Sequence, residues 1–169
     1  MTKETQPVVG VVMGSDSDME VVKRCLDQLS ALDIAYEVRV ISAHRTPEVA
    51  REYSASAVGR GLKVIVAAAG MSAALAGVLA SHTTLPVIGV PVNSGPLDGV
   101  DAAVSTLQMP PGVPVGCMSI GSAGAVNAAV YAAQILATAD EALAARLGEF
   151  KKKQAETVAR KDAGVRKQS

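Results

Sequence analysis

Aromatic residues are almost missing from this 169-residue chain, which has no Trp, one Phe and three Tyr. A flavin carrier usually flanks its ring with aromatic side chains, so that class is disfavoured at the outset. Charge of one sign is missing too: sixteen Lys and Arg balance sixteen Asp and Glu. No basic or acidic surplus points to nucleic acid or to a membrane surface. The two cysteines, Cys25 and Cys117, lie far apart and match no metal-ligand spacing, so they read as buried thiols in a reducing compartment. With only His44 and His82 beside scattered carboxylates, no ligand set for a metal is legible. There is no Gly-x-Ser-x-Gly elbow and no recognisable Ser/His/Asp triad. No apolar run is long and uninterrupted enough to span a bilayer. Residues 1–7 are short and polar, unlike a secretory leader, and a cytoplasmic location is expected.

What remains is rich in alanine, glycine and valine, which favours thin strands and closely approaching helices. The length suits one domain over residues 1–169, with a core at about 8–138 and a C-terminal helix and basic tail at about 140–169. Strand-like runs at 8–13, 36–41, 63–68, 86–92 and 115–119 alternate with helical periodicity at about 17–32, 47–59, 74–81, 100–108 and 123–137. The first strand is apolar throughout, as in a parallel strand buried on both faces. Ser17 and Glu20, three apart, have the capping-box pattern for the first helix. Thr46 is expected to cap the second helix, with Pro47 at its first position. Five strands with intervening helices imply right-handed crossovers and a covered parallel sheet. The expected fold is therefore α/β: a flavodoxin-like three-layer α/β/α sandwich with a five-stranded parallel sheet and a C-terminal helix. The lysines and arginines from Lys151 onward are interrupted by Glu156 and Asp162, so they read as a solvated helix that frays over residues 161–169.

In such a fold ligands bind at the carboxyl ends of the strands. The second strand ends in Ser42-Ala43-His44-Arg45-Thr46-Pro47. A guanidinium suits an anion and an imidazole can give and take a proton near neutrality, so Arg45 is a candidate anion holder and His44 a candidate acid/base. Taken alone, the hexapeptide is equally compatible with a well-capped helix start carrying two solvated side chains. The first strand ends in Gly14-Ser15-Asp16-Ser17-Asp18, a glycine turn with hydroxyls and new helix N–H groups that could cradle a phosphate, while Asp18 could accept from ribose hydroxyls. A capped turn is the plainer reading. The third strand ends in Ala69-Gly70-Met71-Ser72-Ala73-Ala74, whose small side chains leave room for a flat ligand or simply allow close packing. The candidate set is His44 for catalysis, with Ser15, Asp18, Ser42, Arg45, Gly70 and Ser72 for substrate binding and no metal. His82 reads as a side chain near a helix C-terminus without chemistry.

Together these segments resemble the N5-carboxyaminoimidazole ribonucleotide mutase family of purine biosynthesis. The resemblance rests on Val12-Met13-Gly14-Ser15-Asp16-Ser17-Asp18, on the His44-Arg45 hexapeptide, on Leu85-Pro86-Val87-Ile88-Gly89-Val90-Pro91-Val92 and on Gln108-Met109-Pro110. It continues through Gly112-Val113-Pro114-Val115-Gly116, Ala125-Val126-Asn127-Ala128-Ala129 and Ala133-Gln134-Ile135-Leu136, covering roughly residues 8–150. It implies a cofactor-free isomerase, octameric, that moves a carboxylate from the exocyclic nitrogen of an aminoimidazole ribonucleotide to ring carbon 4. By position it implies that Ser15, Asp18 and Arg45 bind the ribose phosphate portion and that His44 is the general acid/base. One loop departs from the pattern. Mutases typically read Gly-Gly-Ala-Ala-His-Leu-Pro-Gly where this chain has Gly70-Met71-Ser72-Ala73-Ala74-Leu75-Ala76-Gly77, so Ala74 replaces a histidine and Ala76 a proline. Ser72 and Ala74 lean toward the branch that carboxylates aminoimidazole ribonucleotide directly with CO2, whereas His44-Arg45 follows the mutases. Direct carboxylation and a non-catalytic ribonucleotide-binding homologue are the alternatives. A phosphoacceptor receiver domain lacks its aspartate, since Ala67-Ala68-Ala69-Gly70 stands after the third strand.

Overall fold

The computed structural model describes residues 6–167. In chain order it contains β1 (Val9–Met13), α1 (Met19–Ala31), β2 (Tyr36–Val40), α2 (Pro47–Ser56), β3 (Val64–Gly70) and α3 (Leu75–Ala80). There follow β4 (Val87–Val92), α4 (Val100–Leu107), β5 (Gly116–Cys117), α5 (Gly121–Ala137) and α6 (Glu141–Arg166). The five strands form one parallel sheet in the order β2-β1-β3-β4-β5, with Val11 opposite Val38 on one side and Val66 on the other. This is the flavodoxin-like order, whose direction reverses at β1, so the loops after β1 and β3 flank a crevice.

Alternation along the strands builds two cores. Val9, Val11 and Met13 face α1 and α5, where Cys25, Leu29, Ala128 and Ala132 complete a buried cluster. Val12, Ile65 and Ala67 face the opposite way, against Ala50 and Tyr53 of α2 and Leu75 and Leu79 of α3. Alanine on α5 lets that helix lie close to the sheet. Gly10 serves the same purpose on the other face, because a Cβ there would run into the Tyr53 hydroxyl. Among the described residues that hydroxyl has no hydrogen-bond partner, and burial pushes its pKa up.

Several local expectations shift. The reciprocal cap at the first helix is formed by Ser15 and Asp18, not by Ser17 and Glu20, because a 3-10 turn over Asp16–Asp18 precedes α1. Thr46 makes no side-chain cap on α2, although Pro47 does occupy its first turn. β5 has two residues rather than five, and the prolines before it, Pro114 nearest, cannot donate to a ladder and so bar its extension at the start. One further bond, Met118 N to Gly89 O at 2.9 Å, carries the pairing just past its end. Cys25 is buried as expected, but Cys117 on this short edge strand is only half-buried. The C-terminal helix does not fray at 161 but runs to Arg166, with an Asp162–Arg166 ion pair of 3.0 Å one turn apart; residues 168 and 169 of the expected tail lie outside the described residues. Asp140 caps its start by accepting from Leu143 N at 2.9 Å. Leu143 and Leu147 are buried, and Arg146 donates from Nε to the Leu32 carbonyl at 3.0 Å, which fastens the first turns of α6 to the end of α1. No described helix is long and apolar enough to cross a membrane.

Candidate active site

β1, β2, β3 and β4 end at the same edge of the sheet, and the loops leaving them enclose a cleft of about 510 Å³. The β1 loop is built by its own side chains. Ser15 has an extended backbone; its Oγ accepts from Ser17 N at 3.3 Å, while Asp18 Oδ2 accepts from Ser15 N at 3.2 Å. The Ser17 hydroxyl joins Ser15 Oγ at 2.9 Å. Asp18 is only 6 % exposed, and that burial raises its pKa from the ordinary aspartate value. The Ser15 N–H pulls in the other direction, and the neighbouring charge of Asp16 adds a smaller upward push. The cradle expected from Gly14 to Asp18 is therefore a preformed turn with one buried carboxyl.

In the β2 loop, Thr46 does its work inside the turn. Its hydroxyl donates to the Ser42 carbonyl at 2.9 Å and accepts from Ser42 N at 3.1 Å, closing the loop rather than capping α2. Ser42 Oγ accepts from both Arg45 N at 3.2 Å and Arg45 Nε at 3.3 Å. Arg45 Nη2 reaches across to the Gly14 carbonyl at 3.4 Å and so ties the second strand end to the first. A guanidinium has five N–H donors; these contacts use two, and among the described residues no carboxylate pairs with Arg45. The remaining donors suit an anion in the cleft. His44 is exposed beside it, on the cleft wall.

The β3 loop holds the most unusual backbone. Met71 and Ala73 have φ of 54° and 26°, left-handed values that favour glycine over side chains bearing a Cβ. Such strain concentrates where a loop must hold a particular shape around a ligand. Met71 is exposed, and its Cγ lies 3.3 Å from where a Gly95 Cβ would sit, so this loop meets the one after β4. Gly70 has a stricter reason to be glycine: a Cβ there would overlap the Ser94 hydroxyl.

All seven candidate residues, His44, Ser15, Asp18, Ser42, Arg45, Gly70 and Ser72, line this one cleft. Ala74, which stands where the resemblance expects a histidine, lines it as well. Ser17, Met71 and Ser94 also line it and were outside the candidate set; for Ser94 the available signal was its position just after a strand's carboxyl end. His82 does not join them: it is exposed just past α3, with its N–H on the Leu79 carbonyl at 3.1 Å. Gln108-Met109-Pro110 is not part of the cleft wall either; the Met109 sulfur packs 3.2 Å from where a Gly77 Cβ would be, against α3. Among the described residues no group of three or more His, Cys, Asp or Glu is placed to hold a metal ion.

A sequence model of the family described as AIR carboxylase matches residues 8–157 of this chain. The chain belongs to the AIR carboxylase family. Two curated members of similar length carry the name N5-carboxyaminoimidazole ribonucleotide mutase. The Bacillus subtilis protein is 54% identical over 153 residues, covering 90% of this chain and 94% of its own length. The Brucella melitensis protein is 52% identical over 151 residues, covering 89% and 93%. The crystal structure of Treponema denticola PurE has a TM-score of 0.81 to this fold at 29% identity, covering 94% of this chain and 98% of that one. The family assignment thus spans all four loops that enclose the cleft.

Proposed function

We propose that this chain moves the carboxylate of N5-carboxyaminoimidazole ribonucleotide to ring carbon 4 of the same molecule, an isomerase step of purine biosynthesis. The observation that carries this reading is the joint one: relatives at 54% and 52% identity bear the mutase name, and the cleft gathers His44, Arg45, Ser15 and Asp18. In this account the free donors of Arg45 and the β1 turn hold the ribose phosphate portion, with Asp18 accepting from the sugar hydroxyls. Ser42 orients Arg45, and the small residues Gly70 and Ser72 leave room for the flat ring. His44, as the imidazolium, protonates the carbamate nitrogen while the carbon–nitrogen bond breaks and CO2 is released. The electron-rich ring carbon 4 then attacks that CO2, and neutral His44 removes the carbon-4 proton. One proton is given and one recovered, so the cycle closes without any added co-reactant. Holding CO2 beside the ring makes its recapture effectively intramolecular.

The third-strand loop favours a second reading by one specific observation. Ala74 occupies the place of a histidine, and with Ser72 it leans toward direct carboxylation of aminoimidazole ribonucleotide by CO2. His44-Arg45 and the relatives' names weigh on the mutase side. We further propose a single cooperative domain working in the cytoplasm as a symmetric homo-oligomer, an octamer. The support for self-association is the apolar line Leu97, Val100, Val104 and Leu107, spaced three and four apart and exposed on and beside α4.

His44→Asn tests the central assignment. Turnover of the carbamate should fall at least ~100-fold while binding of the ribonucleotide, measured by calorimetry, stays close to wild type. Near-normal turnover in that variant removes His44 from the mechanism.

A further inference from the structure

The hydroxyls that line the cleft are not equivalent. Ser15 and Ser17 are linked to each other, and Ser15 also contacts Asp16. Ser42 Oγ is occupied by two donors from Arg45. Ser72 and Ser94 are the two without a hydrogen bond to Oγ among the described residues; Ser72 is exposed on the β3 loop, whereas Ser94 lies on the β4 side with its backbone N–H taken by the Val92 carbonyl at 2.9 Å. It is half-buried, and its hydroxyl sits directly over Gly70, which can only be glycine if that hydroxyl keeps its place. A half-buried hydroxyl whose proton no described residue takes, at a cleft wall, is what a ligand acceptor requires. The strand order then says which end of the ligand it meets. Along the sheet edge, Arg45 belongs to β2, the serine turn to β1, Gly70 to β3 and Ser94 to β4. The anion-holding groups are therefore at one end of the cleft and Ser94 is at the other.

Resting on the mutase reading above, we propose that Ser94 is a specificity-determining residue whose hydroxyl donates to the carboxylate of the carboxylated aminoimidazole ring. A ribonucleotide whose phosphate is held from the β1 and β2 side extends its ring toward β3 and β4, and the carboxylate is the strongest acceptor on that ring. Ser94 thereby distinguishes the carboxylated nucleotides from the uncarboxylated one, and it keeps the carboxylate turned toward the β4 wall.

The test is isothermal titration of wild type, Ser94→Ala and Ser94→Cys with 4-carboxy-5-aminoimidazole ribonucleotide and, separately, with 5-aminoimidazole ribonucleotide. The cysteine variant keeps a single γ atom over Gly70 but offers only a weak donor, so it supplies the answer if the alanine variant does not fold. In both variants affinity for the carboxylated nucleotide should fall roughly tenfold and that for the uncarboxylated one by less than about twofold, as expected for one lost bond to a charged group. Equal losses for the two nucleotides, or no loss for the carboxylated one, overturn the assignment. If wild type binds neither nucleotide, it is the mutase reading that fails.

Discussion

Asp18 illustrates how one residue serves both the fold and the cleft. Its carboxylate accepts the Ser15 N–H that shapes the β1 turn, yet burial disfavours its charge. Its pKa is raised on folding, so the native state holds the proton more tightly than the unfolded chain does. The stabilising contribution is complete below the unfolded carboxylate pKa and is lost as pH rises through the higher folded value. Asp18→Asn keeps an acceptor for Ser15 while removing the charge. Its melting temperature, measured against wild type, should therefore match at acid pH and gain on wild type as pH rises through Asp18's titration. The same substitution should weaken ribonucleotide binding about tenfold by removing a charged acceptor. A variant that loses stability most at neutral pH contradicts this account of Asp18. Arg45 is the complementary case: a cation on the cleft wall with no carboxylate partner among the described residues, held by Ser42 and the Gly14 carbonyl with N–H donors to spare.

At the scale of elements, the apolar runs of β1, β3 and β4 were legible because strands buried on both faces need no polar alternation. β5 was overestimated: only Gly116 and Cys117 pair with β4, and Pro114 bars extension of the ladder at its start. The start of α1 was misread because Ser15-Asp18 and Ser17-Glu20 have the same spacing, and only the 3-10 turn decides which serine caps. That the seven candidate residues would share one cleft was legible because strand ends converge on one edge of an open α/β sheet. Ser94 follows a strand end as well but was not singled out, because its close approach to Gly70 of another strand is a contact that sequence spacing does not encode. The anchoring of α6 was equally hidden, resting on Leu143 and Leu147 in the core cluster shared with α1 and α5 and on Arg146 reaching the Leu32 carbonyl more than a hundred residues away. Leu143→Ala should cost about 2–5 kcal/mol in chemical denaturation, the usual range for a buried leucine. Lys152→Ala, on the exposed part of the same helix, should stay within about 0.5 kcal/mol. Similar small effects for both would mean that α6 is not docked through Leu143.

For the whole molecule, the sheet order gathers four strand ends into one cleft, while two separate cores hold the sheet rigid beneath it. The same packing leaves Leu107 66% exposed at the end of an apolar line. Light scattering should therefore report a symmetric assembly, and Leu107→Glu should shift it toward smaller species at micromolar concentration; a stable wild-type monomer contradicts the assembly. The central claim, that the carboxylate stays within one ribonucleotide, is tested most directly by isotope partition. Purified protein is given N5-carboxyaminoimidazole ribonucleotide in buffer containing carbon-labelled bicarbonate, and aminoimidazole ribonucleotide in a parallel reaction. Efficient conversion of the carbamate to the carbon-4 carboxylate with little label in the product is the result expected of a mutase. Full labelling, with the carbamate unused and aminoimidazole ribonucleotide consumed in a saturable dependence on CO2, would contradict it.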